Sequence, residues 1–376
     1  MELTRIIHPV GQGGFYSERL VDGSNEINVI YDCGGNNNTS MREYLDNYYT
    51  QRTIDAVFIS HMHDDHINGL EYLLTHYNVK CLILPQLTKD EHLEFLLYNA
   101  LKNPTGVSGI NSFINKLLSS EDYYTESETK IIRVSHSNGD DRIGEEIVGD
   151  YDIDLLKMIK MTSIKSGVKI HLGKEWLFIP YNPPINSNYD KGFYNFFKGK
   201  LKINYDFEFE DLIDIVHKEG LKKCKQIYDD YFEKNHNAYS MTLFSGMASP
   251  HLYSDYCDCC YDKMIYHHCG KYRRLCSPNC LYTGDFDTKN QFKNLKYFYA
   301  PYWKTISSIQ VPHHGSRNNF DPQMYEYASR GFISVGEKNR YHHPNVDTLI
   351  GMHGMCCNPV LVTDSLSTIK LYQYHI

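Results

Sequence analysis

The stretch Ser60-His61-Met62-His63-Asp64-Asp65-His66 decides how this chain folds. It contains the pattern H-x-H-x-D-H and lies between a short apolar run at 56–59 and a helical pattern. In a loop that leaves the end of a strand, His61 and His63 can point to one side, and Asp65-His66 then begins the helix beside them. Imidazole nitrogens and a carboxylate together suit Zn²⁺, Mn²⁺ or Fe²⁺. The stretch therefore predicts a metal site at the end of a strand.

The remainder of the chain predicts a sheet-based α/β protein with helices outside. Short apolar or β-branched runs bounded by turn residues predict strands at 4–9, 15–20, 27–31, 56–59, 81–84, 168–172, 176–179, 240–244, 281–283, 308–311 and 332–335, with two more at the C-terminus. Amphipathic patterns predict helices at 67–77, 89–101, 110–118, 209–232, 290–298, 323–329 and 345–353.

Composition narrows the classes of function. The chain has 376 residues, 41% hydrophobic and 22% charged, with a net charge of −8. These values indicate a globular protein rather than a disordered one, and they disfavour a coat for long nucleic acid. No run reaches the ~18 apolar residues of a membrane span, and the first residues lack the apolar region of a signal peptide. We therefore expect a cytoplasmic protein that does not associate with membranes.

Further segments, in chain order, resemble a known family. They are Val10-Gly11-Gln12-Gly13-Gly14 with Ile30-Tyr31-Asp32-Cys33-Gly34-Gly35, then Tyr282-Thr283-Gly284-Asp285, Val311-Pro312-His313-His314-Gly315-Ser316, and the segment from Ser334 to Pro344. Together with H-x-H-x-D-H, they resemble the competence-protein (ComEC/Rec2-like) branch of the metallo-β-lactamase-fold metallohydrolases. The resemblance implies a four-layer αββα sandwich with a metal site at one sheet edge.

The resemblance also implies two metal ions, zinc or manganese. His61 and His63 would bind the first ion, Asp65 and His66 the second, and Asp285 would bridge both. Two divalent ions close together need such a bridging anion. A water shared by two such ions is deprotonated near neutral pH, which makes it an attacking hydroxide.

Other matching positions receive roles around that pair. His343 would complete the second metal site, although its neighbour His342 could do so instead. Asp32 would lie beneath the site and hold one histidine in a single tautomer. His313 or His314 would face the substrate, as a donor in the transition state or an acid for the leaving group. With Asp65, these two histidines are the predicted catalytic residues.

The third ligand of the first metal ion is open. The superfamily usually supplies a histidine from a strand midway along the chain, and the competence branch often has an asparagine there. The stretch from Asn235 to Leu243 resembles that segment. Asn237 falls in the position of the family asparagine and His236 lies one residue earlier, so either could approach the ion.

A Cys-rich insertion is predicted at 246–280, because six of the 11 cysteines fall between Cys257 and Cys280. In a reducing compartment, clustered cysteines are more readily metal ligands than disulfides. Four of them would form a closed zinc site, a small knuckle that could also dock a protein partner. The predicted ligands are Cys257 or Cys259, Cys260, Cys276 and Cys280, with His268 or Cys269 as substitutes. A group of free thiols is the alternative.

The chain is thus interpreted as one domain over 1–376, with a partly helical cap inserted at 119–235. We expect a soluble binuclear hydrolase, a phosphodiesterase or nuclease that acts on nucleic acid or on nucleotides, including cyclic ones. Two lysine runs, at 198–202 and 222–225, could line a groove for single strands. A thioester or lactone hydrolase, or an accessory protein that docks a partner, are the alternatives.

Overall fold

The computed structural model describes residues 1–36, 38–49, 52–102, 107–119, 122–123, 129–138, 152–185, 192–208, 211–232, 240–249 and 277–376. The strands are β1 (Glu2–Ile7), β2 (Phe15–Asp22), β3 (Asn25–Cys33), β4 (Thr53–Phe58), β5 (Asn78–Pro85), β6 (Asp122–Tyr123), β7 (Thr129–Ser135), β8 (Asp152–Asp154), β9 (Ser163–Lys165), β10 (Lys169–Leu172), β11 (Trp176–Tyr181), β12 (Thr242–Met247), β13 (Cys280–Tyr282), β14 (Ser308–Gln310), β15 (Arg330–Ser334), β16 (Asn358–Val362) and β17 (Lys370–His375).

Helices connect these strands. They are α1 (Asn38–Tyr48), α2 (Asp64–Ile67), α3 (Leu70–His76), α4 (Lys89–Lys102), α5 (Val107–Ser119), α6 (Phe193–Leu201), α7 (Leu212–Glu219), α8 (Leu221–Phe232), α9 (Thr288–Phe298), α10 (Ala300–Trp303) and α11 (Val346–Gly354).

Two large mixed sheets form the centre of the molecule. The first has the order β17-β1-β2-β3-β4-β5-β7-β6, with β9 also paired to β7. The second has the order β16-β15-β14-β13-β12-β11-β10-β8. Strands β3, β4, β5 and β7 are parallel, and so are β13 to β16. Because the carboxyl ends of parallel strands share one edge, the loops that follow them are brought together.

Three apolar layers separate the sheets and helices. The inner faces of the two sheets enclose one core, which includes Phe58 and Phe178. A second core lies between the first sheet and α1, α3, α4 and α5. A third lies between the second sheet and α9, α10 and α11. The predicted four-layer αββα sandwich, the architecture of the metallo-β-lactamase fold, is therefore confirmed.

The predicted long helix at 209–232 is divided. Gly220 has φ 87°, a conformation that favours glycine, and it separates α7 from α8. Helices α6, α7 and α8 pack in the same core as α4, on the first-sheet side. The range 119–235 also contains β7, β10 and β11, which belong to the two sheets. We propose that the cap proper consists of α6 to α8.

Most of the Cys-rich insertion lies outside the described residues. Its predicted ligands Cys257, Cys259, Cys260 and Cys276 lie outside the described residues, as do the substitutes His268 and Cys269. Cys280 is different, because it lies on β13 with its side chain in the core between the sheets. The structure therefore favours a packing role for Cys280.

Candidate metal centre

Loops from both sheets meet at one edge of the sandwich. His61 and His63 follow β4, Asp65 and His66 begin α2, Asp285 follows β13, and His314 follows β14. These six side chains form two groups of three. Within each group, the ligand atoms lie within 4.8 Å of one another. The first group is His61, His63 and Asp285, and the second is Asp65, His66 and His314.

The first group is compact and buried. His61 Nε2 lies 3.0 Å from His63 Nδ1 and 3.8 Å from Asp285 Oδ2. Both histidines are only 1% exposed. With Zn–N bonds of about 2.0–2.1 Å and tetrahedral angles, two donors of one ion lie about 3.3 Å apart. The observed spacings therefore fit a shared cation.

The second group shares the same carboxylate. His66 Nε2 lies 3.3 Å from Asp285 Oδ1, and His314 Nε2 lies 3.9 Å from the same oxygen. His314 Nε2 is also 3.5 Å from Asp65 Oδ2. Each oxygen of Asp285 thus faces one group, which is the arrangement that a bridging ligand requires.

Unsatisfied donor atoms support this interpretation. Among the described residues, His66 Nε2 and His314 Nε2 are buried and face carboxylate oxygens at 3.3 and 3.5 Å without a hydrogen bond of good geometry. Buried polar atoms nearly always have a partner, so two such nitrogens aimed at one spot require an explanation. The donors are imidazole nitrogens and carboxylates, which suit Zn²⁺ or Mn²⁺. The residues present therefore fit a pair of divalent cations.

The other nitrogen of each histidine is engaged by the protein. His66 Nδ1 lies 2.8 Å from Asp32 Oδ2, and His314 Nδ1 lies 2.9 Å from the carbonyl of Ser334. Such contacts place the proton on Nδ1 and leave the Nε2 lone pair towards the site. Asp32 is fully buried, and its Oδ1 accepts a 2.7 Å hydrogen bond from the Ser60 amide. Asp32 therefore contacts His66 on the side away from the donor groups.

Burial and neighbouring charges shift the pKa values of three candidate ligands. Burial lowers the pKa of His61 well below its ordinary value, and His66 and His63 lower it further. Burial opposes ionisation of Asp285, but His313 and His66 hold the pKa of this carboxyl well below its usual range. Burial also disfavours a charged His66, yet Asp285 and Asp32 raise the pKa of this imidazole well above normal. A cation would therefore compete with a proton on His66.

His313 and His343 lie beside the two groups rather than within them. His313 Nε2 is 3.9 Å from Asp285 Oδ2, and its Nδ1 is 3.0 Å from Asn319 Oδ1. The His343 ring centroid lies 5.7 Å from that of His313. Within the described residues, His314 rather than His343 is grouped with Asp65 and His66. His342 is exposed, and His236 and Asn237 lie outside the described residues.

Three residues that border the site belong to none of the motifs recognised in the sequence. Glu94 of α4 is fully buried, with Oε1 3.5 Å from His63 Nε2. Tyr98 stacks on His63 with ring centroids 3.9 Å apart. Lys102 Nζ lies 3.4 Å from Asp65 Oδ1. The available indication was their i, i+4, i+8 spacing, with Glu94 and Tyr98 in the predicted helix at 89–101 and Lys102 one residue beyond it. The same spacing equally describes an ordinary helix face.

The comparison with known families matches one part of the chain. Residues 11–145 match the family described as the anti-Pycsar protein Apyc1. This range includes H-x-H-x-D-H, Asp32 and Glu94 but not Asp285 or His314. It is a family other than the competence-protein branch that the motifs resemble, and that branch is not confirmed. No curated protein matches the chain significantly.

Solved structures with some similarity have the metallo-β-lactamase fold or come from the PhnP family. The metallo-β-lactamase-fold protein YhfI from Bacillus subtilis is 10% identical, with a TM-score of 0.41 over 99% of this chain and 100% of that one. A diphosphatase of the PhnP family is 10% identical, with a TM-score of 0.39 over 100% and 98%. A metallo-β-lactamase from Cronobacter sakazakii is 9% identical, with a TM-score of 0.28 over 80% and 74%.

Within the described ranges, no helix combines the length and the apolar character that crossing a membrane requires.

Proposed function

We propose that this chain is a binuclear metal-dependent phosphodiesterase that acts on nucleotide phosphodiesters. The observation that carries the proposal is the position of Asp285 between two groups of buried donors, with Oδ2 towards His61 and Oδ1 towards His66. In this proposal His61, His63 and Asp285 hold one cation. Asp65, His66, His314 and the same Asp285 hold the other. When bound, the two cations supply a water of low pKa and neutralise charge on the phosphoryl oxygens.

His313 is the proposed substrate-facing residue. Its side chain is 28% exposed, whereas His314 is 3% exposed. Asn319 Nδ2 donates to the Asp285 carbonyl, so Asn319 Oδ1 is left to accept from His313 Nδ1. In the neutral ring, Nε2 then carries a lone pair and can take up a proton, with Asp285 as the counter-charge. The resulting imidazolium can pass that proton to the leaving oxygen.

Small nucleotides fit the electrostatics better than polynucleotides do. Lys198 is paired with Asp206 at 2.6 Å, Lys223 with Glu219 at 2.7 Å and Lys225 with Asp229 at 2.7 Å. These lysines are therefore partly neutralised and form a weak track for a phosphate backbone. The match of residues 11–145 to the anti-Pycsar family supports cyclic nucleotides within this class.

A substrate panel tests the proposal. Cyclic mononucleotides, cyclic dinucleotides, a single-stranded oligonucleotide, bis-p-nitrophenyl phosphate and a thioester are each supplied with Zn²⁺ or Mn²⁺. We expect turnover of phosphodiesters and a loss of at least about 100-fold in Asp285→Asn, since that change removes the bridging carboxylate.

The exposed Asp22→Asn is the matched control and should keep full activity. Turnover of the thioester alone would favour the carboxyl-ester alternative. Absence of turnover on every substrate, with metal bound, would favour an accessory protein. Phosphodiester turnover that survives Asp285→Asn would contradict the assigned site.

A further inference from the structure

The carboxylate of Glu94 is buried away from water, which costs free energy unless other groups stabilise it. It is 0% exposed, on the buried face of α4. The Tyr228 hydroxyl, from α8 of the cap, donates a short hydrogen bond to its Oε1. The same Oε1 is 3.5 Å from His63 Nε2. A buried carboxylate is costly unless its oxygens have partners. Here the Tyr228 hydrogen bond and the His63 contact both involve Oε1, and within the described part of the chain Oε2 has no hydrogen-bond partner.

The two nitrogens of His63 face different surroundings. Nδ1 lies 3.0 Å from His61 Nε2, inside the first donor group. Nε2 points away from that group, towards Glu94. Tyr98 stacks on the ring with centroids 3.9 Å apart and covers its face. A carboxylate next to Nε2 favours the tautomer with its proton there, which leaves the Nδ1 lone pair for a cation.

We propose that Glu94 is a positioning residue for His63 and that Tyr228 holds Glu94 in place. Through this contact the cap helix α8 contributes to the affinity of the first metal site. The inference rests on the metal centre of the proposed function, but it does not depend on the substrate.

The same helix offers a matched control. Glu91, one turn earlier, is also buried and lies 3.2 Å from a histidine, His136. Its Oε2 accepts a 2.6 Å hydrogen bond from the Thr88 amide at the start of α4. His136 belongs to neither donor group. Glu91→Gln therefore changes an equivalent buried Glu–His contact away from the metal centre.

The experiment compares Glu94→Gln, Tyr228→Phe and Glu91→Gln in the full chain. Zinc affinity and stoichiometry are measured by competition with a chromophoric chelator. The tautomer of His63 is read from ¹⁵N NMR of the zinc-loaded protein, and melting is followed in excess chelator. We expect Glu94→Gln to weaken one of two zinc sites about 10–100-fold. Tyr228→Phe should lose less, since the carboxylate remains.

Glu91→Gln should bind zinc as the unaltered chain does. Zinc affinity that is unchanged in both Glu94→Gln and Tyr228→Phe would overturn the inference. Equal losses in Glu94→Gln and Glu91→Gln would also overturn it, because they would indicate a general packing effect. If Glu94→Gln does not fold, the inference is tested by the zinc affinity of Tyr228→Phe and by the tautomer of His63 in the zinc-loaded unaltered chain. Weakened zinc binding without phosphodiester turnover in the unaltered chain would refute the proposed function alone.

Discussion

At the scale of residues, the metal centre depends on which atom of each side chain faces inward. Asp32 and Ser334 engage the outer nitrogens of His66 and His314. His313 and His314 have φ 47° and 55°, the left-handed region that non-glycine residues seldom adopt. Such strain persists where surrounding contacts hold it, often at functional sites. The backbone at β14 is thus bent so that one histidine enters the donor group and its neighbour faces outward.

A buried histidine outside the site predicts a pH dependence of stability. His8 is fully buried, stacks on Phe15 and lies 2.7 Å from Ser17 Oγ. Burial lowers its pKa to about 3 from an unfolded value near 6.5. The folded state therefore keeps His8 neutral, whereas the unfolded chain protonates it below about pH 6.5. Stability is therefore highest above pH 6.5 and decreases as the pH falls towards 3.

Between pH 7 and pH 5, this residue should remove about 2 kcal/mol from the free energy of unfolding. Urea titrations in chelator, compared between the unaltered chain and His8→Gln, measure that difference. The variant should show the shallower pH dependence. Identical slopes for the two chains would mean that His8 does not titrate as its burial indicates.

At the scale of elements, β7 is a strand that the local sequence pattern does not predict. Residues 119–165 are polar and ambiguous in sequence, yet Thr129–Ser135 forms a strand between β5 and β6. Ile131, Ile132 and Val134 are buried on its two faces. A short parallel strand is stabilised by its neighbours on both sides and needs little alternation of its own.

The loop after β3 provides a prediction about the close approach of two elements. Gly34 lies against the backbone of Asp65 and His66, and a Cβ there would overlap the Asp65 carbonyl. Gly34→Ala should therefore displace the start of α2, destabilise the chain by about 1–3 kcal/mol and weaken zinc binding.

Gly199→Ala in α6 is the control, since no heavy atom lies within 4 Å of its added Cβ. It should stabilise the helix by about 0.5–1 kcal/mol. Chemical unfolding and chelator competition measure both variants. Normal zinc affinity in Gly34→Ala would show that the loop can yield without moving Asp65.

At the scale of the whole molecule, a buried ion pair joins the two sheets. Arg5 of β1 pairs with Glu18 of β2 at 2.7 Å, and Arg5 Nη1 donates to the Pro278 carbonyl ahead of β13. Ser245 of β12 and Tyr282 of β13 donate to Glu18. The charges are thus solvated by groups from both sheets, which offsets their loss of water.

Removal of one partner should therefore be costly. We expect Arg5→Met to destabilise the chain by about 3–5 kcal/mol, because Glu18 stays buried without its counter-charge. The double variant with Glu18→Met should lose less than the sum of the two single changes. Arg19→Met, at the exposed pair with Glu26, should cost no more than about 1 kcal/mol. A small effect of Arg5→Met in urea unfolding would contradict this account.

The patterning of the sequence alone predicted a sheet-based α/β protein, and its resemblance to a known family implied the αββα architecture and most of the donors that the structure brings together. The resemblance could be seen because H-x-H-x-D-H places four candidate ligands, three histidines and one aspartate, within six residues, and because the TGD and HHGS segments follow short strands. Each motif can be recognised from local sequence, and the resemblance relates the distant motifs to one another. The roles of these residues as metal ligands remain a prediction for the metal-binding experiments.

Only the tertiary structure decided how the remaining residues are arranged. It placed His314, rather than His343, beside Asp65 and His66, and it brought Glu94 to His63 and Tyr228 to Glu94. These residues are separated by up to 249 positions between Asp65 and His314. Their approach depends on the bend after β14 and on the packing of the cap against α4. The bend and the packing both result from contacts between elements that are distant in sequence, so no periodic pattern in the sequence indicates them.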